Sequence, residues 1–448
     1  MGLSDVELQH KDEPTEKDPM LRKNEEKARQ RLECEAPQDA GGLVYAIILL
    51  NGIGVLTPWN MFITIAPQFY VDYWFTPNGT ETSYAKSFMS TLGIAAQLPN
   101  LSVNILNIFL VIGGSLLLRI IGPLIINCFN IAIVISLVIF VTPNIADMSW
   151  FYPLTLALVV VLNVSNGFYQ NSIFGLTADF PGKYTNALIL GNNICGTFIT
   201  VINLIATLLL PGQIRTVAIV YFGISLVVLI ICGISLVILS KNPFYQYYVE
   251  QGHLARTAEN STKPSLVQYL QCFRHSGIQL YNVFATFFIT LTIFPAMMAG
   301  TKLYAPPLGE APESIIPVDI FVNVGTFLNF NVLATVGSWL AGHVQVPKAP
   351  NLWLPVTARF LFIPFFMFCN YKPAHRTLPV LITSEWLFML GGAAMALTHG
   401  YLSSLSMMNA PRVVHPSLSK VAGMSASMSL VLGIFAGVSF TLVIDAII

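Results

Sequence analysis

The sequence predicts an all-α polytopic membrane protein with eleven transmembrane helices in a six-plus-five arrangement. Three observations carry that prediction. Of 448 residues, 54% are hydrophobic and only 10% charged, with a mean hydropathy of +0.68, values outside the range of ordinary soluble domains. The apolar residues collect in runs of about 20 or more, the length that crosses a hydrocarbon core. The least hydrophobic long connection, KNPFYQYYVEQGHLARTAENSTKPSLVQ, divides those runs into six and five.

Residues 1–42 are rich in Lys, Glu, Asp, Arg and Gln and lack an apolar core segment. They read as a solvated, disordered cytoplasmic tail and not as a cleaved signal peptide. Within the tail, Glu16 followed by Met20-Leu21 is similar to an acidic-dileucine sorting signal. Spans follow near 43–67, 87–111, 118–142, 149–177, 185–210 and 215–240, which together make an N-terminal six-helix bundle over 43–240. A mobile cytoplasmic linker is expected over 241–276. The spans near 277–300, 316–344, 352–370, 378–408 and 418–447 make a C-terminal five-helix bundle over 277–448.

Orientation follows from the basic residues near span ends. Arg22, Lys23, Lys27, Arg119, Lys183, Lys241, Arg256, Arg274, Arg412 and Lys420 fall on one side, leaving Lys86, Arg215, Lys302, Lys372 and Arg376 on the other. The bias puts the N-terminus in the cytoplasm and the C-terminus outside. It also places the NGT sequon at Asn78 where glycosylation is possible and the NST at Asn260 where it is not. A plasma-membrane location is expected, with an endolysosomal membrane as the alternative that Met20-Leu21 would direct.

Several functions are excluded. Balanced totals of 22 basic and 22 acidic residues give no field for nucleic acid. The six cysteines (Cys34, Cys128, Cys195, Cys232, Cys272 and Cys369) are scattered with no CxxC spacing, so neither disulfides nor a metal is expected. No phosphate-binding loop, nucleophile elbow or zinc-protease motif occurs, and no paired carboxylates share an intramembrane face. Neither enzyme chemistry nor a cofactor is indicated, which leaves transport or channel function in a lipid bilayer; a monomer is expected.

Polar residues inside the spans discriminate further, because a polar side chain facing lipid is costly. Three stripes occupy single helical faces: Gln97, Asn100, Asn104 and Asn107; Asn163, Asn166 and Gln170; and Asn331, Thr335 and Ser338. Such amides can bridge helices. Three stripes together favour a cavity, and neutral groups that both donate and accept suit an uncharged, hydrogen-bonding solute. Pro58, Pro99 and Pro295 lie within spans and would bend helices around it. Gly191 and Gly196 read as close-packing positions.

These residues carry a resemblance. The sequence resembles the equilibrative nucleoside transporters of the solute carrier superfamily from GIGVLTPWNMF onward. The shared pieces are TPWN, QLPN, YQNSIFGL, LILGNNICG, NPFYQYY, FPAM, FNVLATVGSWLAG, LPVTARFLFIPFFMFCNYKP and HGYLSSLSM, in that order. The resemblance implies a major-facilitator-like fold with a central site between its halves, worked by alternating access without an energy source. It further implies that Leu56 and Trp59 line the cavity, with Trp59 offering a flat face to a base. Gln97 and Asn100 stand where the family has apolar cavity residues. Gln170 would bond the edge of the nucleobase, Phe294 and Ile434 would form walls, and Arg119 would support the inner gate.

The eighth span departs from the family pattern. An aspartate and, four residues on, an arginine that grip the ribose hydroxyls are replaced by Ala334 and Ser338. Either neutral neighbours such as Asn331, Thr335, Ser338, Asn100 and His399 hold the sugar, or the solute lacks a ribose. A nucleoside or nucleobase carrier is the expected function. A carrier of monoamines or organic cations, and a transport-dead receptor or scaffold, are the alternatives.

Overall fold

A computed structural model describes residues 37–80, 82–109, 117–257, 266–304, 316, 321–373 and 376–448. Glu16, Met20, Leu21 and the Asn260 sequon lie outside the described residues. Asp39–Ile448 form one compact unit.

The first helix, α1 (Leu43–Ala66), opens under a side-chain cap. The Asp39 carboxylate accepts hydrogen bonds from the backbone N–H of Val44 at 2.9 Å and Tyr45 at 3.0 Å, groups that a helix start leaves without partners. The helix contains Pro58 and does not stop at the expected residue 67. It widens into a π-helical segment, Pro67–Trp74, with Pro67 at the junction, where wider turns accommodate a ring that has no N–H to give the preceding turn. Trp74 then stacks on Phe151 with ring centroids 3.6 Å apart. Asn78 lies just beyond, in the 3-10 turn Pro77–Gly79.

Next come α2 (Ser83–Phe109), α3 (Leu118–Phe140), α4 (Met148–Thr177), α5 (Gly182–Leu209) and α6 (Ile214–Ser240). Within the expected linker, Pro243–Thr257 folds as a helix, α7. The Asn242 side chain accepts from Phe244 N–H at 2.8 Å, and the ring of Phe180 meets those of Phe244, Tyr245 and Tyr248. The following helix, α8 (Leu266–Ile293), starts at Leu266 and not near 277.

After a short helix at Ala296–Gly300 and a π-helical segment at Val322–Leu328 come α9 (Asn329–His343), α10 (Trp353–Ala358), α11 (Phe362–Met367), α12 (Glu385–Asn409) and α13 (Ser419–Ile447). Between α10 and α11 the chain tightens into a 3-10 turn at Arg359–Leu361, where Pro364 has no N–H to offer the carbonyl of Phe360. Helix α12 begins at Glu385, after the expected 378, because the Ser384 hydroxyl caps it by accepting from Leu387 N–H.

Among the described residues, eight helical stretches are long and apolar enough to cross a membrane by length and composition. Helix α2 is not among them because its amide stripe lowers its hydropathy, and α12 is not because Thr398, His399, Ser403, Ser404 and Ser406 interrupt it. Helix α1 packs on α5 and α6, α2 on α4, and α3 on α4 and α6, while α9 packs on α12 and α8 on α13 and α12. The two groups meet where α9 and α12 touch α5 and where α13 touches α2 and α4. Close approach depends on glycine: a Cβ on Gly191 would lie 2.1 Å from the carbonyl oxygen of Leu49, and one on Gly400 would lie 1.9 Å from that of Ala334.

Candidate functional site: the polar seams and the interior between them

The Asn331, Thr335 and Ser338 stripe forms a ladder with α5. Asn331 Nδ2 donates to Thr200 Oγ1 at 2.9 Å, Thr335 and Thr197 share a hydroxyl bond at 3.1 Å, and Asn193 Nδ2 donates to Ser338 Oγ at 2.6 Å. Ser338 Oγ in turn donates to the carbonyl of Gly400 at 3.1 Å. Ala334 is buried against Gly400. In this conformation the stripe holds helices together across the two groups. Gly196 makes room for it, since a Cβ there would lie 2.2 Å from Asn331 Oδ1. The close-packing role expected of Gly191 and Gly196 is what the geometry gives them.

The second seam is an amide chain. Arg119 donates to Asn107 Oδ1, Asn107 Nδ2 to Asn171 Oδ1 at 2.9 Å, and Asn171 Nδ2 to Asn104 Oδ1 at 3.2 Å and to the Met424 carbonyl at 3.0 Å. Ser427 joins from α13 by donating to Asn104 Oδ1 at 3.3 Å. The chain thus couples Arg119 in α3 to α13 through α2 and α4. Asn100 is turned along its own helix, accepting from Asn104 Nδ2 at 2.8 Å.

The same end of the molecule carries a charged lock. Asp179, in the turn between α4 and α5, has a side chain 3% exposed. Its two oxygens accept from Arg256 Nη1 of α7 at 3.0 Å, and Oδ1 also accepts from Ser419 Oγ at 3.2 Å. Burial pushes the carboxyl above the usual carboxylate range, with the Arg256 guanidinium pulling the other way.

Leu56, Trp59 and Ile434 are half-buried on one apolar core, and the Trp59 ring runs parallel to that of Phe62. Phe294 belongs to a separate core in the second group, where it stacks on Phe330 at 3.9 Å. Gln97 is half-buried. Gln170 is buried as a residue, at 3% exposure, and its amide is not among the fully buried polar atoms left without a partner.

One residue escaped the sequence reading. Arg359, 2% exposed, sits inside the packed helices and donates to Thr286 O at 3.0 Å, Thr290 Oγ1 at 2.8 Å, Thr398 Oγ1 at 3.2 Å and Met395 O at 3.2 Å. The signal was available, since an arginine in the middle of LPVTARFLF is rare enough to mark a functional position. Among the described residues, no Asp or Glu lies in the middle of a membrane-crossing helix.

The helical groups that meet along these polar seams make a fold of major-facilitator type. The solved proton:xylose symporter XylE, bound to 6-bromo-6-deoxy-D-glucose, shares this fold at a TM-score of 0.60 and 12% identity, over 90% of this chain and 88% of that one. The fucose symporter FucP, in an outward conformation, gives 0.52 at 13% identity over 90% and 92%. The chain belongs to the nucleoside transporter family, whose pattern matches residues 156–446. Rat equilibrative nucleoside transporter 1 is 28% identical over 92% of this chain and 99% of its own length. Rat equilibrative nucleoside transporter 3 is 26% identical over 90% and 89%.

Proposed function

We propose that this chain is a facilitative carrier that equilibrates nucleosides, and nucleobases with them, across a membrane by alternating access. The observation that carries the reading is Gln170: a glutamine 3% exposed on the amide stripe of α4, in a chain of this family. An amide offers a donor and an acceptor side by side, which matches the polar edge of a purine or pyrimidine. Trp59 supplies a face for stacking, and Leu56, Gln97, Asn100, Phe294 and Ile434 complete the walls. The organic-cation alternative is disfavoured by charge, since Arg359 puts a buried positive charge in the second group with no mid-span carboxylate among the described residues to offset it.

In this reading eleven spans divide six and five, and the Asp179 lock and Arg119 chain close the cytoplasmic side. The solute reaches the site from outside in this conformation. The α5–α9 ladder separates in the opposite phase, freeing Asn331, Thr335 and Ser338 to meet the sugar through neutral hydrogen bonds. The carrier works as a monomer in the plasma membrane, with Asn78 outside. Uptake of labelled adenosine, uridine, adenine and an organic cation into cells lacking endogenous carriers tests the reading. Saturable uptake of the first two supports it; uptake of the cation alone would replace it.

A further inference from the structure

We propose that Asn192 of α5 accepts a hydrogen bond from a hydroxyl on the sugar of the transported solute. This assignment rests on the carrier function above and adds a specificity-determining residue that lies outside the three polar stripes.

Asn192 is partly exposed as a residue, yet its Oδ1 is buried and has no hydrogen-bond partner. Native structures leave few buried acceptors in that condition, and each calls for an explanation. Neighbouring residues fix the direction of the side chain. Leu188 and Gly191 press on α1: a Cβ on Gly52 would lie 2.2 Å from Leu188 O, and one on Gly191 would lie 2.1 Å from Leu49 O. Cys195 Sγ meets Thr57 Oγ1 of the same helix at 3.3 Å. Asn193, Thr197 and Thr200 press on α9 through the ladder. Successive helical residues turn by about 100°, so Asn192 stands about 100° from Gly191 and from Asn193, on one of the two arcs between those faces. The other arc carries Phe198, Val201, Ile205 and Leu208, all exposed and apolar, which is the side for lipid. Asn192 therefore faces the interior between the two groups.

The rungs of the ladder set its depth. Asn193 pairs with Ser338, and Thr197, one turn further along α5, pairs with Thr335. Both of those α9 hydroxyls are committed in this conformation, Ser338 to Gly400 O at 3.1 Å and Thr335 to Asn331 O at 2.8 Å. Asn192 Oδ1, at the same level, has no such commitment. It stands beside the seam assigned above to the sugar, while Trp59 and Gln170, assigned to the base, belong to α1 and α4. A hydroxyl donates to a carbonyl oxygen and accepts from an amide N–H, so it can meet either end of this side chain.

The test compares the full chain with Asn192→Ala and Asn192→Leu at matched surface abundance. Uptake is measured for adenosine, for its 2′-deoxy, 3′-deoxy and 5′-deoxy analogues, and for purine riboside, which lacks the amino group of the base. Asn192→Ala should raise KM for adenosine about two- to ten-fold. The deoxy analogue that lacks the partner hydroxyl should escape that penalty, and purine riboside should keep it. Should Asn192→Ala fail to reach the surface, Asn192→Leu, which keeps the bulk without the acceptor, carries the comparison with the same expectation. A penalty that is absent, that is equal for all five solutes as a loss of packing would make it, or that vanishes for purine riboside alone would overturn the proposal. Original protein that transports none of the five would instead overturn the nucleoside reading beneath it.

Discussion

The ladder between α5 and α9 can be removed almost without changing its shape. Asn193→Ala, Thr197→Val and Thr200→Val delete its three side-chain bonds. Few groups are orphaned: Ser338 still donates to Gly400 O, and Asn331 still donates to Phe327 O at 3.0 Å. Hydrogen bonds between helices in a bilayer average about 0.6 kcal/mol each, so the triple variant loses about 2 kcal/mol from this conformation. At 1.4 kcal/mol per decade, that shifts a two-state equilibrium roughly twenty-fold. Spin labels at Leu208 and Trp386, both exposed and on opposite groups, report the shift as a distance distribution in a variant with the native cysteines replaced. The major distance should move toward a second population, with Thr197→Val alone giving a small part of the change. An unchanged distribution in the triple variant would mean that the ladder persists in every state, and the proposed separation of α5 from α9 would be wrong.

Three further outcomes follow from the same geometry. Burial raises the Asp179 carboxyl above its ordinary range, so the closed lock binds a proton more tightly than an opened, hydrated one. Mild acidification through that raised range should favour closure, and the dependence should vanish in Asp179→Asn, as read from label distances against pH. Gly191→Ala forces α1 and α5 apart at a backbone contact and should lower Tm by the equivalent of about 1 to 3 kcal/mol, whereas Gly93→Ala, which meets nothing within 4 Å, should leave it unchanged. Asn78→Gln should abolish a glycosidase-sensitive mobility shift, and Asn260→Gln should not; the reverse pattern would invert the orientation.

Helix positions were legible because hydrophobic runs report burial in lipid or core directly. Stripes such as Asn163, Asn166 and Gln170 were legible too, since spacing of three and four fixes a shared face. Partners were not. Nothing local to Asn331 points to Thr200, and a stripe that would line a cavity in one state and close a seam in another has one sequence pattern for both. The extension of α1 past Pro67 was hidden because proline usually ends a helix, whereas a widened turn accommodates it. Helix α7 could have been found: Asn242 before Pro243 is a start signal, followed by aromatics spaced for one face. Arg359 was passed over because its neighbours made the segment read as uniformly apolar, although its charge set it apart.

The central claim is that this chain lets nucleosides run to equal concentration on both sides of a membrane. Purified protein in sealed liposomes, with labelled adenosine outside and no ion or pH gradient, tests it most directly. The account predicts saturable entry that stops when the internal concentration equals the external one, and that quickens when unlabelled uridine is loaded inside. Accumulation above the external level under an imposed proton gradient, or no entry beyond that of empty liposomes, would contradict it.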